Sequence, residues 1–107
     1  MGWVSILHRV SGALLFLVLP LLVWALSASL SSEAGFLYVV SWVSHPVSKL
    51  LVLGLVWVFA LHLLAGLRHL ALDVHWGVQL ENARRSSVGV LVAAGGVTLL
   101  AAWGLFA

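Results

Sequence analysis

Residues 50–67 read LLVLGLVWVFALHLLAGL, eighteen residues without a charge, preceded by Lys49 and followed by Arg68-His69-Leu70-Ala71-Leu72. An uncharged apolar run of about 18 residues or more marks a membrane span. In hydrocarbon every backbone N–H needs a partner within its own segment, so such a run is a helix and not a strand. Two further runs have the same character. Residues 10–30 hold nothing more polar than serine, and residues 88–107 have Thr98 as their one polar side chain. At 1.5 Å per residue each is long enough, with its flanking turns, to cross a hydrocarbon core of ~30 Å. The expectation is a single all-α domain over residues 1–107, an integral membrane bundle with three transmembrane helices at about 8–30, 47–72 and 86–107.

Composition leads to the same class. The hydrophobic fraction is 64% and the charged fraction 7%, against ~45–50% and ~25% in soluble domains. A soluble chain this small needs far more polar surface than that. Disorder would need the opposite composition. With no cysteine among the 107 residues, this chain can form no disulfide, thiolate zinc site or iron–sulfur cluster. Five Lys/Arg give a net charge of +2, too sparse for nucleic-acid binding. The first run exceeds the 7–15 apolar residues of a signal peptide, and Pro20 interrupts it without a small-residue cleavage site after it, so it is expected to stay as a span. Pro20 is expected to kink that helix.

Residues 31–48 and 73–87 connect the spans. Phe36-Leu37-Tyr38-Val39-Val40 is apolar enough to lie in the membrane interface, with Trp42 as an aromatic anchor. Ser44 is the expected cap of the second span, with Pro46 in its first turn, and Ser86 or Ser87 that of the third. Gly89, Gly95 and Gly96 are positions where another helix could approach, or simply glycines of a membrane helix. Arg9, Arg68, Arg84 and Arg85 fall at one membrane face and Lys49 alone at the other. That bias puts the amino terminus in the cytoplasm and the carboxy terminus on the opposite side.

His62 stands about two residues, or ~3 Å, from the middle of the second span, in Trp57-Val58-Phe59-Ala60-Leu61-His62-Leu63-Leu64-Ala65-Gly66. An ionisable side chain at that depth is rare and points to function. Positions 58, 59, 65 and 66 carry no acid to pair with it. A metal bond would stabilise the imidazole there, and histidine is a usual axial ligand of a b-type haem. Ala65 and Gly66 are small neighbours against which a flat macrocycle can lie. The other reading is an imidazole hydrogen-bonded to a second helix. His8, His45 and His75 lie at span ends or in loops, and His69 is ~10 Å along the same helix, so no histidine of the chain is expected opposite His62. This chain would then supply one axial ligand and a partner subunit the other.

A second cluster is Ser5-Ile6-Leu7-His8-Arg9-Val10-Ser11-Gly12. If the first helix starts early, Ser5 and Arg9 share a face at i and i+4, with His8 beside them. A hydroxyl and a guanidinium there can donate to a carbonyl acceptor such as a quinone head group, and the cation steadies negative charge as electrons arrive. Helix capping by Ser5 and topology-setting by Arg9 account for the residues equally well. Arg68 and His69 end the second span on the same side, where, with His8 and Arg9, they could neutralise haem propionates. Interfacial anchoring is the plainer account of Arg68. Asp73 is expected to pair with His69 or Arg68.

Ser5–Gly12 resembles the S-x-x-H-R-x-[ST]-G signature of the cytochrome b membrane-anchor subunits of succinate dehydrogenase. His62-Leu63-Leu64-Ala65-Gly66-Leu67-Arg68-His69-Leu70-Ala71-Leu72-Asp73 resembles the second signature of that family, H-x-x-x-G-[apolar]-R-H-[apolar]-x-x-D. Both motifs stand in order on the first two of three spans, and the resemblance covers nearly the whole chain. It implies a subunit that is no enzyme on its own, in the inner membrane of a bacterium. Its implied partners are a flavoprotein subunit, an iron–sulfur subunit and a second membrane anchor, and it would help pass electrons to ubiquinone. By position, Ser5 and Arg9 match quinone-site residues and His62 the axial ligand of haem b. The second ligand would come from the partner anchor, and His8, Arg68 and His69 would lie near the propionates. This chain departs from the family at Leu72, where an aromatic or Met is usual, and at His75, where a small residue is usual. It also has only four residues before Ser5, where the family carries some twenty or more.

Two other functions suit the composition. A small transporter would want a carboxylate inside a span, whereas Glu33, Asp73 and Glu81 all fall outside the three runs. A haem-free assembly subunit would keep the motifs without the cofactor.

Overall fold

The structure, a computed structural model, describes residues 2–76 and 79–106, apart from the side chains of residues 2, 80 and 81. Ala107, the expected end of the third span, lies outside the described residues. Four helices follow one another: α1 (Gly2–Ser31), α2 (Glu33–Val43), α3 (Pro46–Asp73) and α4 (Leu80–Phe106). Three of them contain stretches long and apolar enough to cross a membrane, Trp3–Ser31, Pro46–Asp73 and Asn82–Phe106.

α1 starts well before the uncharged run at residue 10, because Val4 is driven into the core and only 1% exposed. It continues through Pro20 as one helix, a helix breaker that membrane helices tolerate. Ser32 then takes an extended backbone (φ −165°, ψ 165°) and accepts the Gly35 N–H at 2.9 Å. The apolar stretch around Phe36 is therefore a helix, α2, which folds back on α1. Trp24 meets Tyr38 edge-on with ring centres 6.3 Å apart, and Tyr38 meets Trp42 at 6.4 Å.

The capping residues differ from those expected. Ser44 closes α2, donating its N–H to the Val40 carbonyl at 2.9 Å. His45 caps α3 instead, its Nδ1 accepting the Val47 N–H at 3.2 Å, with Pro46 opening the helix. α4 begins at Leu80, so Ser86 and Ser87 lie inside it and cap nothing. α3 ends in a Schellman motif: Trp76 N–H bonds Ala71 O at 2.8 Å and His75 N–H bonds Leu72 O at 3.0 Å. His75 sits at φ 65° there.

α3 is flanked by α1 and α4. Val4, Ala60, Leu61, Ala65, Val90 and Ala94 form the buried core, and small residues let the three helices approach closely. Ala65, fully buried in that core, is thus a packing residue and offers no open surface to a macrocycle. Gly89, Gly95 and Gly96 face open space, since a Cβ on any of them would meet nothing within 4 Å. The close contact is made by Val90 and Ala94.

Candidate functional site

The residues singled out on α1 and α3 meet at one end of the helices. On α3, His62 and His69 are seven residues apart, two turns, and share the face toward α1. On α1, His8 enters between them. Its ring stacks on His62 with centres 4.2 Å apart and planes 5° from parallel, and lies 5.0 Å from His69. Gly66 lies beside it: a Cβ there would stand 3.4 Å from His8 Nε2, close to an ordinary contact.

His8 lies closer to His62 than its place near the start of the first span suggests. Because α1 begins at Gly2, its first turns lie alongside α3, and His8 reaches His62 after all. The two rings are nonetheless in face-to-face contact, which leaves no gap for a flat group between them. His8 is thus a stacked neighbour of His62.

His62 is held at one nitrogen. Its Nδ1 lies 3.1 Å from the His8 carbonyl oxygen and 3.1 Å from Ser11 Oγ. A carbonyl only accepts, so the contact with His8 requires the proton on Nδ1, and Nδ1–H donates to that oxygen. Ser11 in turn donates its hydroxyl to the same carbonyl at 2.9 Å. Nε2 then carries the lone pair, and no hydrogen bond among the described residues reaches it. Gly12 is as tightly placed: a Cβ there would stand 2.9 Å from His62 Cε1. Ser11 and Gly12 belong to a motif visible in the sequence, where neither carries an expected role. Their signal is a small hydroxyl residue and a glycine one turn after His8, opposite a span bearing a buried histidine.

Arg68 goes elsewhere. Only 9% exposed, it donates from Nε to Ser86 Oγ at 2.9 Å and from Nη2 to Ala83 O at 3.2 Å. It ties α3 to α4 and forms no pair with Asp73, which has no ion pair among the described residues. One step of helix, ~100°, separates Arg68 from the face that carries His62 and His69. Ser5 and Arg9 stand one turn apart on α1, half-buried and exposed respectively. Among the described residues neither the Ser5 hydroxyl nor the Arg9 guanidinium makes a hydrogen bond. No group of three or more His, Cys, Asp or Glu among the described residues could hold a bare metal ion.

Three apolar spans, paired through small residues and carrying an imidazole with one engaged nitrogen, define a multi-pass helical membrane subunit. The profile of the succinate dehydrogenase/fumarate reductase transmembrane subunit family matches residues 1–102, and the chain belongs to that family. It is 36% identical over 96 residues to a succinate dehydrogenase cytochrome b556 subunit of Paracoccus denitrificans, covering 89% of this chain and 72% of that protein. It is 34% identical over 93 residues to the subunit of the same name from Coxiella burnetii (strain RSA 493 / Nine Mile phase I), covering 86% of this chain and 74% of that protein. A membrane-anchor cytochrome b subunit of succinate dehydrogenase is the coarse description that these likenesses support.

Proposed function

We propose that this chain holds one side of a haem b and part of a quinone site, in a complex that carries electrons from succinate to ubiquinone. The observation that bears most weight is the state of His62. An imidazole inside a span is held through Nδ1–H, and its Nε2 lone pair has no partner among the described residues. Metal-bound histidines have this arrangement, the second ring nitrogen donating to a carbonyl. The donor chemistry fits a haem iron, which needs only one neutral imidazole from each side. Haem b bound there would supply one-electron redox chemistry.

Each residue of the chain has a share in this. His62 would hold the haem iron through Nε2, and a further ligand would come from the second membrane anchor, because His8 is stacked on His62. His8 and His69 stand beside it as donors for propionates. Arg68 contributes there through the guanidinium N–H groups that α4 leaves over. Ser5 and Arg9 donate to the carbonyl oxygens of the quinone head group, where the guanidinium charge stabilises the electrons as they arrive. The accompanying protons come from water or partner chains, since the chain's own carboxylates lie outside the uncharged runs. The flavoprotein and iron–sulfur subunits dock on the same side, the cytoplasmic face of a bacterial inner membrane by the arginine bias.

Haem content of the purified complex tests the reading. His62→Ala is expected to lose or loosen the haem while the complex still assembles, because only one ligand goes. Unchanged haem per complex would refute it, and a wild-type complex without haem would favour a purely structural subunit.

A further inference from the structure

We infer that Ser11, with Gly12 beside it, is the positioning residue of the His62 imidazole. The inference rests on the haem reading above and concerns what fixes the ring, which neither the family nor its relatives' names address.

The argument is one of donors and acceptors. Three polar atoms meet at one point: His62 Nδ1, Ser11 Oγ and the His8 carbonyl oxygen, at 3.1, 3.1 and 2.9 Å from one another. The carbonyl has no proton to give. If Ser11 donated to Nδ1, the nitrogen lone pair would face the carbonyl lone pair at 3.1 Å. One assignment leaves no such conflict. Ser11 donates to His8 O, Nδ1–H donates to His8 O and Ser11 Oγ together, and Nε2 is left bare. Ser11 is itself buried, 3% exposed, so water does not take its place. Gly12 sets the distance, because any Cβ there would press on the Cε1 edge of the ring. The His8 carbonyl sets the tautomer of His62, and Ser11 and Gly12 fix the direction in which its lone pair points.

An acceptor on Nδ1–H makes an imidazole a stronger donor and holds its orientation, and losing such a partner commonly weakens metal binding 10–100-fold. Since His8 O stays in place, Ser11→Ala is expected at the lower end. In the assembled complex, apomyoglobin should strip haem about tenfold faster from Ser11→Ala than from wild type. The haem midpoint potential should rise, because a weaker donor stabilises ferric iron less. Ser11→Thr keeps the oxygen and should restore both values, whereas Ser11→Val, its isostere without the oxygen, should not. The Thr/Val pair repeats the comparison if the alanine variant does not assemble. Gly12→Ala should loosen haem with the hydroxyl intact.

Equal stripping rates and potentials across Ser11→Ala, Ser11→Val and Ser11→Thr would overturn the positioning role while leaving the haem reading standing. Unchanged haem in His62→Ala would overturn the reading beneath it. The two failures are read in different variants.

Discussion

His75 occupies a backbone position suited to glycine. Its φ of 65° closes the Schellman turn after α3, and a side chain in that conformation costs about 1–2 kcal/mol relative to the right-handed one. Glycine at this place would carry no such cost. His75→Gly is expected to stabilise the assembled complex by about 1 kcal/mol, seen as a raised thermal midpoint; a lowered one would mean the imidazole makes a contact that outweighs the strain. His62 itself was legible from the sequence, as an ionisable side chain amid an apolar run. What it touches was not. That His8 stacks on it depends on how far α1 extends before residue 10, and this was decided by burial of Val4, a residue with no polar signal. On α1, Arg9→Leu should impair quinone reduction while an artificial acceptor at the soluble subunits still works. Equal loss of both activities would contradict a quinone role for Arg9.

Helices pair here through particular contacts as well as apolar area. The Arg68 guanidinium fastens the carboxy-terminal end of α3 to α4 through Ser86 Oγ and Ala83 O, and hydrogen bonds to charged groups are worth about 1.5–3 kcal/mol. Arg68→Leu should lower the thermal midpoint of the complex accordingly. Lysine should not rescue it, since an ammonium cannot reproduce the two-pronged geometry. If Arg68→Lys behaves as wild type, a simple interfacial charge is the better account. The α1–α2 hairpin turns on Gly35, where a Cβ would come within 2.2 Å of the Ala28 carbonyl oxygen. Gly35→Ala should displace α2 at about 1–3 kcal/mol, readable as faster proteolysis at Ser31 and Ser32; an unchanged rate would show that the hairpin relaxes freely. The three spans could be read from uncharged length. The caps could not: serines abound near every helix end, and the choice among them was set by where the neighbouring helix begins, as His45 and Leu80 show.

Taken whole, the chain is a slab of 54 × 28 × 17 Å, long enough to cross a bilayer of about 40–45 Å including head groups. Among the described residues its buried core is six hydrophobic side chains, and large apolar residues stay exposed along all the spans. Lipid accepts such a surface, and so does a second helical anchor. The arginines gather at the end where α1 starts and α3 finishes, while Lys49 lies over the Phe106 ring at 5.4 Å near the other. A reporter fused after residue 107 should therefore be active only outside the cytoplasm; cytoplasmic activity would invert the topology. The lone histidine within a span was legible, but the neighbour it has in its own fold was not. Haem bound to this chain would be held by His62 together with a histidine of another subunit. The low-temperature spectrum of ferric haem in the purified complex reads this out: wild type should give the low-spin signature of two imidazoles, and His62→Ala should lose it. The same two-imidazole spectrum in both would mean that the iron is held by other residues.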